Sequence, residues 1–227
     1  MMEISCTLGG YAGADGSCEL RRDQVRAFTI LQGPCPISHE NEKIYRHVGN
    51  INLHSTSYHF DDPQVGNSLL YDLLENCIRT SEYPRTEFII HANSEGSPGV
   101  DVLTINSACL CLLDAAVQMH YYFGAVSVAV FQDPKTDALD MQVDPDPKLL
   151  PNARSVFVFV FRPSLTETFL IGSCSHGRFT LDEFEKALEL ARGRCLRIFD
   201  FIRDRVRERT IGRLFILFDG FHLSKYL

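Results

Sequence analysis

Apolar residues recur along this chain with two different periods, and the switches between them mark out the elements. Residues 4–8, 17–20 and 25–31 are short runs of β-type composition, punctuated by Gly9-Gly10, Gly13 and Gly33-Pro34. Arg21-Arg22-Asp23-Gln24 reads as the polar turn between the second and third runs. Residues 34–41 read as a loop, and residues 47–56 as another strand, closed by Asp61-Asp62-Pro63. Over residues 67–79 the period changes. Leu69, Leu70, Leu73, Leu74 and Cys77 fall close to a 3.6-residue repeat, which predicts an amphipathic helix with Asn67 or Ser68 as its cap. Pro84 ends the connection to a strand over 86–92.

The segment from Gly99 to Ala116 reads as a loop feeding a tightly packed helix over 103–117, built from small and aliphatic residues and stopped at Asp114-Ala115. A long apolar β-run follows at 123–131, with 138–143 as its hairpin partner. Residues 156–162 and 167–172 form a second hairpin turning at Pro163-Ser164, and Gly172-Ser173-Cys174-Ser175-His176-Gly177 reads as a turn before the last helix. That helix is the best signposted in the chain. Thr180-Leu181-Asp182-Glu183 is a capping box, and Leu181, Phe184, Leu188, Ala191, Cys195, Ile198, Phe199, Ile202 and Val206 form one apolar stripe behind it. Gly212 is expected to break the helix. The residues beyond it are apolar (Leu214, Phe215, Ile216, Leu217, Phe218, Phe221, Leu223), so residues 210–227 are expected to fold back on the body or meet a partner. The order of strands, helix, strand, helix, hairpins and helix is an α+β pattern in which helices cover mixed sheets.

At 227 residues and 45% hydrophobic content the chain is long enough for one domain, or two intimately fused halves, taken as residues 1–209. The net charge of −7 and the pI near 5.6 argue against free-standing, charge-driven nucleic-acid binding. No apolar run reaches the roughly 18 residues of a membrane span. Met1-Met2-Glu3-Ile4-Ser5-Cys6 is not a basic stretch leading into an apolar one, so neither secretion nor membrane association is expected. The eight cysteines are scattered without a Cys-x-x-Cys, which predicts reduced, mostly buried thiols and no zinc site. The eight histidines show no zincin spacing, and neither a nucleophile elbow nor a P-loop occurs, so no metal or cofactor is expected.

Several short motifs fall in a telling order. Ala14-Asp15-Gly16-Ser17 is followed by Gly33-Pro34, and Tyr83-Pro84-Arg85-Thr86 leads into a strand. Ile105-Asn106-Ser107-Ala108 and Leu113-Asp114-Ala115 mark the small-residue helix, Gly124-Ala125-Val126-Ser127-Val128 the strand after it. Val143-Asp144-Pro145 is followed at an eight-residue spacing by Ala153. From about residue 4 to residue 207 this arrangement resembles the RNase PH-like proteins. Within that family the short N-terminus and the Asp-Pro of the acidic segment are most similar to a eukaryotic exosome ring subunit. The resemblance implies an RNase PH-like (ribosomal protein S5 domain 2-like) α+β fold. It also implies partners: related subunits in a hetero-hexameric ring, S1/KH-type cap subunits, and RNA passing through a central channel. The implied setting is RNA processing and degradation, rRNA included, in the nucleus and nucleolus and also in the cytoplasm.

The same resemblance sets an expectation about chemistry. Phosphorolysis needs a cationic phosphate clamp, which active members supply as an Arg flanked by Thr, and acids that assist the leaving oxygen and position a metal. Counting back from Asp114-Ala115 puts Val100, Asp101 and Val102 at the clamp, and a carboxylate there repels phosphate. No Arg or Lys lies between Thr86 and Lys135, so no shift of alignment restores it. Asp144 and Asp146 fit the first two acids, but the last falls on Leu150. Arg85 is retained as a candidate RNA or phosphate contact. Arg192, Arg194 and Arg197 begin a helical window, 192–209, with a net charge of +4 (seven Arg against Asp200, Asp204 and Glu208) that could meet RNA or an acidic neighbour. The expected outcome is a catalytically inert ring subunit. The alternatives are an active phosphorolytic or hydrolytic 3′-to-5′ exoribonuclease using Asp144 and Asp146 with Arg85, or another RNase PH-like paralogue of the same ring.

Overall fold

The structure, a computed structural model, describes residues 4–37, 50–55, 63–95, 102–132, 139–146, 148–164 and 167–223. Its first sheet has the order β1-β2-β3-β5-β4, from β1 (Ser5–Leu8), β2 (Gly16–Arg22), β3 (Val25–Pro36), β4 (Asn50–Ser55) and β5 (Thr86–Glu95). Only the β4–β5 pairing is parallel. The second sheet is antiparallel throughout, in the order β7-β6-β8-β9, from β6 (Gly124–Gln132), β7 (Leu139–Val143), β8 (Ser155–Pro163) and β9 (Thr168–Gly177). Helices α1 (Pro63–Cys77), α2 (Val102–Asp114) and α3 (Leu181–Leu223) complete the described architecture. The expected α+β class is observed.

Helix α2 is the joint between the sheets, touching β2, β3 and β5 on one side and β6 on the other. Eleven of its thirteen residues are buried, so it has no solvent face and its polar side chains must find partners inside. Asn106 donates from Nδ2 to the Ala125 carbonyl at 3.0 Å and accepts from the Ala125 N–H at 2.7 Å. Ser107 and Thr29 share a hydroxyl hydrogen bond of 2.6 Å. Gly16 lets β2 approach this closely. A Cβ there would lie 2.6 Å from both the Ala115 Cβ and the Cys111 carbonyl oxygen.

Strand β8 is buried on both faces from Phe157 to Phe161, which explains its unbroken apolar sequence. Phe157 and Phe159 meet Phe184 of α3 edge-on, at ring separations of 5.7 and 5.3 Å. On the far side of the same sheet, Leu69 and Leu73 of α1 lie over Gly172 of β9.

Several boundaries differ from the sequence expectation, each for a local reason. Helix α1 starts at Pro63, so Asn67 and Ser68 lie within it rather than capping it; proline at a first helical position costs no hydrogen bond. Strand β3 continues through Pro34 to Pro36 instead of opening into a loop, across an irregularity between Gln32 and Cys35 that accommodates the proline. The segment from Gly172 to Gly177 is strand, not turn. Its small residues hide the alternation that buries Cys174 against β8 and leaves Ser173 and Ser175 outside. Helix α2 ends at Asp114, where Ala116 takes a φ of 53°, rather than at Val117. Gly212 does not break α3, because the roughly 1 kcal/mol that a glycine costs in a helix is too little to end one.

Candidate functional site

The acidic segment is set by the end of β7. Past Val143 the chain reverses at Asp144, whose φ of 49° is left-handed, and its N–H donates to the Ser127 carbonyl at 2.8 Å. The Asp144 carboxylate then points back to the body. Oδ1 accepts from the Ser127 N–H at 3.4 Å, and Oδ2 accepts from Arg194 Nε at 2.9 Å. Both partners of this ion pair are shielded, with 11% of the Asp144 side chain and 24% of the Arg194 side chain exposed. Two residues picked out separately as an acid and as an RNA contact are thus each other's counterion.

The rest of the loop is also committed to structure. Arg22 donates from Nη2 to the buried Pro145 carbonyl at 2.8 Å. Asp146 accepts from the Lys148 N–H at 2.9 Å through Oδ1, and its own carbonyl takes the Leu149 N–H at 2.9 Å, which makes it the pivot of a turn. Leu150 opens a short 3-10 turn, Leu150–Asn152, and is half-buried. Among the described residues no cluster of three or more His, Cys, Asp or Glu side chains is placed to hold a metal ion.

The remaining candidates are dispersed. Arg85 is exposed just before β5, at a φ of 57°, and its carbonyl accepts from the Ile37 N–H at 3.4 Å. Asp101, with Gly99 and Val100, lies outside the described residues. Arg192 and Arg197 are exposed on α3. Lower on the helix, Arg203 pairs with Asp200 and Arg205 with Glu208. Arg209 reaches away from the helix and donates from Nε at 3.0 Å to Oδ1 of Asp114, whose side chain is 1% exposed. Gly9 makes room for that guanidinium: a Cβ at this residue, whose φ is +67°, would sit 1.6 Å from Arg209 Nη2. The Ser17 N–H also donates to Asp114, at 3.2 Å through Oδ2.

No protein-family model matches the chain. In fold it is similar to the crystal structure of rice (Oryza sativa) Rrp46, with a TM-score of 0.76 over 91% of this chain and 95% of that one, at 21% sequence identity. The fold is RNase PH-like.

Within an RNase PH-like fold, α2 is the small-residue helix that the motif Ile105-Asn106-Ser107-Ala108 pointed to, and Asp114 is its last residue. Sequence reasoning took Asp114 only as a stop signal. Its role as the buried anchor for Ser17 and Arg209 involves partners 97 and 95 residues away, and no local pattern carries that. The one available hint was an acid closing an otherwise apolar helix, which needs a partner if it is buried.

Proposed function

We propose that this chain is a non-catalytic, RNase PH-like subunit of an RNA exosome ring, most similar to the ribosomal-RNA-processing protein 46 type. The observation that carries this reading is the Asp144–Arg194 pair. A carboxylate that already holds a guanidinium and a backbone N–H is a poor site for a metal or a leaving oxygen. The likeness to rice Rrp46 supports the ring assignment, and Leu150 in the third acid position supports the loss of chemistry. The chain would complete the ring, shape the RNA path and dock related subunits and S1/KH-type caps through sheet edges and α3. It would act in 3′-to-5′ RNA processing and degradation in the nucleus, nucleolus and cytoplasm. An acidic subunit suits that role, because a ring member need not bind RNA alone.

The test is purified chain with single-stranded RNA, with and without phosphate and magnesium, beside an affinity pull-down of tagged chain. No cleavage, together with recovery of related ring subunits, is expected. Reproducible cleavage abolished by Asp144→Ala would make the chain an active exoribonuclease, and a pull-down without ring subunits would sink the ring assignment. Recovery in a different pairing would identify another paralogue.

A further inference from the structure

Six of the eight cysteines are buried; Cys6 and Cys35 are half-buried. Cys35 faces Glu87 across the sheet, but Cys6 lies beside a second thiol. In the β1–β2 ladder Cys6 is opposite Leu20 and Leu8 is opposite Cys18, so Cys6 and Cys18 are diagonal neighbours on one face of the sheet. The two thiols are close enough to shift each other's ionisation, Cys6 downward and Cys18 upward. Cys6 also lines an open cavity of about 140 Å³ with Leu8, Arg205, Glu208 and Arg209, while Cys18 is fully buried. That volume exceeds what a small hydroperoxide needs, since a water occupies about 30 Å³ in the liquid.

The neighbouring Cys18 thiol, and after it the Arg205 guanidinium, hold the Cys6 pKa below the ordinary thiol value, against burial and the carboxylates of Glu208 and Asp114. Burial does the reverse elsewhere, raising Cys77 and Cys111 and pushing Cys109 and Cys195 up to about 12. The Arg205 guanidinium at the cavity wall lies 2.8 Å from Glu208 through Nη1 and 5.5 Å over the Phe201 ring, and its Nε is buried with no hydrogen-bond partner among the described residues. A partly exposed cysteine beside guanidinium groups, with a second thiol diagonal to it on the same sheet face, is the arrangement expected of a peroxide-reactive dithiol.

We propose that Cys6 and Cys18 are such a dithiol, with Cys6 oxidised first and Cys18 closing a disulfide between β1 and β2. The Cys6 thiolate attacks one oxygen of hydrogen peroxide, the O–O bond breaks, hydroxide leaves, and Cys6 becomes a sulfenic acid. The Cys18 sulfur then attacks the Cys6 sulfur, the S–O bond breaks, and the hydroxyl departs as water with the Cys18 proton. Peroxide is the two-electron oxidant and the two thiols are the reductant. Diagonal Cα atoms in an antiparallel pair lie about 7–8 Å apart, and a disulfide spans at most about 6.8 Å, so closure draws the strands together. Strand β1 is an edge strand of four residues, hydrogen-bonded to the sheet on one side only.

The experiment treats the full chain with graded hydrogen peroxide, alkylates the remaining thiols after denaturation, and maps peptides by mass spectrometry. A Cys6–Cys18 cross-link is expected at doses that leave Cys35 fully alkylated, with the loss of two titratable thiols per chain. Cys18→Ala should trap Cys6 as a sulfenic acid that dimedone labels, and Arg205→Gln should slow the oxidation. Should the native chain oxidise first at Cys35 or form no cross-link, the proposal fails; absence of dimedone label in folded Cys18→Ala overturns the order of the two sulfurs.

Discussion

Asn106 exchanges two hydrogen bonds with the backbone of Ala125, as a neighbouring strand would, and so holds α2 to the start of β6. Asn106→Leu keeps the volume but strands a buried N–H and carbonyl of Ala125. A loss of about 2–4 kcal/mol in urea unfolding is expected, and no change would mean that the pair adds nothing. The buried thiols make a separate prediction about pH. Cys109 and Cys195 keep their protons up to about pH 12 in the folded chain, against an ordinary value of 9.0. Below pH 9 both states hold the proton and stability is unaffected. Between pH 9 and 12 only the unfolded chain releases it, so each thiol lowers stability by up to about 1.4 kcal/mol per pH unit. Under reducing conditions, the fall above pH 9 should be shallower in a Cys109→Ala/Cys195→Ala variant; an identical slope would refute the assignment.

At the scale of elements, the start of α3 rests on reciprocal hydrogen bonds. The Thr180 N–H donates to Glu183 Oε2 at 2.8 Å, and the Glu183 N–H donates to Thr180 Oγ1 at 3.3 Å. This box was legible because its residues are three apart and the physics is local. What was not legible is that Glu183 also takes Arg154 Nη1 at 3.3 Å and is itself buried. Thr180→Ala should therefore cost about 1 kcal/mol, whereas Glu183→Ala should cost more by also releasing Arg154, which lies between the 3-10 turn Leu150–Asn152 and β8. Equal losses in thermal unfolding would show that the Arg154 contact is idle. The misread elements, Gly172–Gly177 and the stretch past Gly212, share one cause. Glycine and small polar residues mark turns on average, but pairing to β8 or continuation of a helix outweighs a penalty of about 1 kcal/mol.

For the whole molecule, the buried position of α2 is decisive. Because both sheets pack on the same helix, neither can lose its structure without exposing the other's core. Loss of far-UV helix and sheet signal and loss of near-UV tyrosine signal should coincide in one denaturant transition; two separated transitions would mean the sheets fold as independent units. Among the described residues no helix is long and apolar enough to cross a membrane.

The amino-acid sequence alone determined the α+β class, the order of most elements, the capped last helix and the absence of Arg and Lys between Thr86 and Lys135, since each follows from periodicity, capping chemistry or a count. Only the tertiary structure decided which charges meet. Asp144 and Arg194 are 50 residues apart, Asp114 and Arg209 are 95 apart, and Cys6 and Cys18 come together through strand register. Local patterns record the propensities of neighbours along the chain. Ion pairs and thiol contacts depend on how sheets and helices pack, where burial makes a partner obligatory without saying in the sequence which one it is.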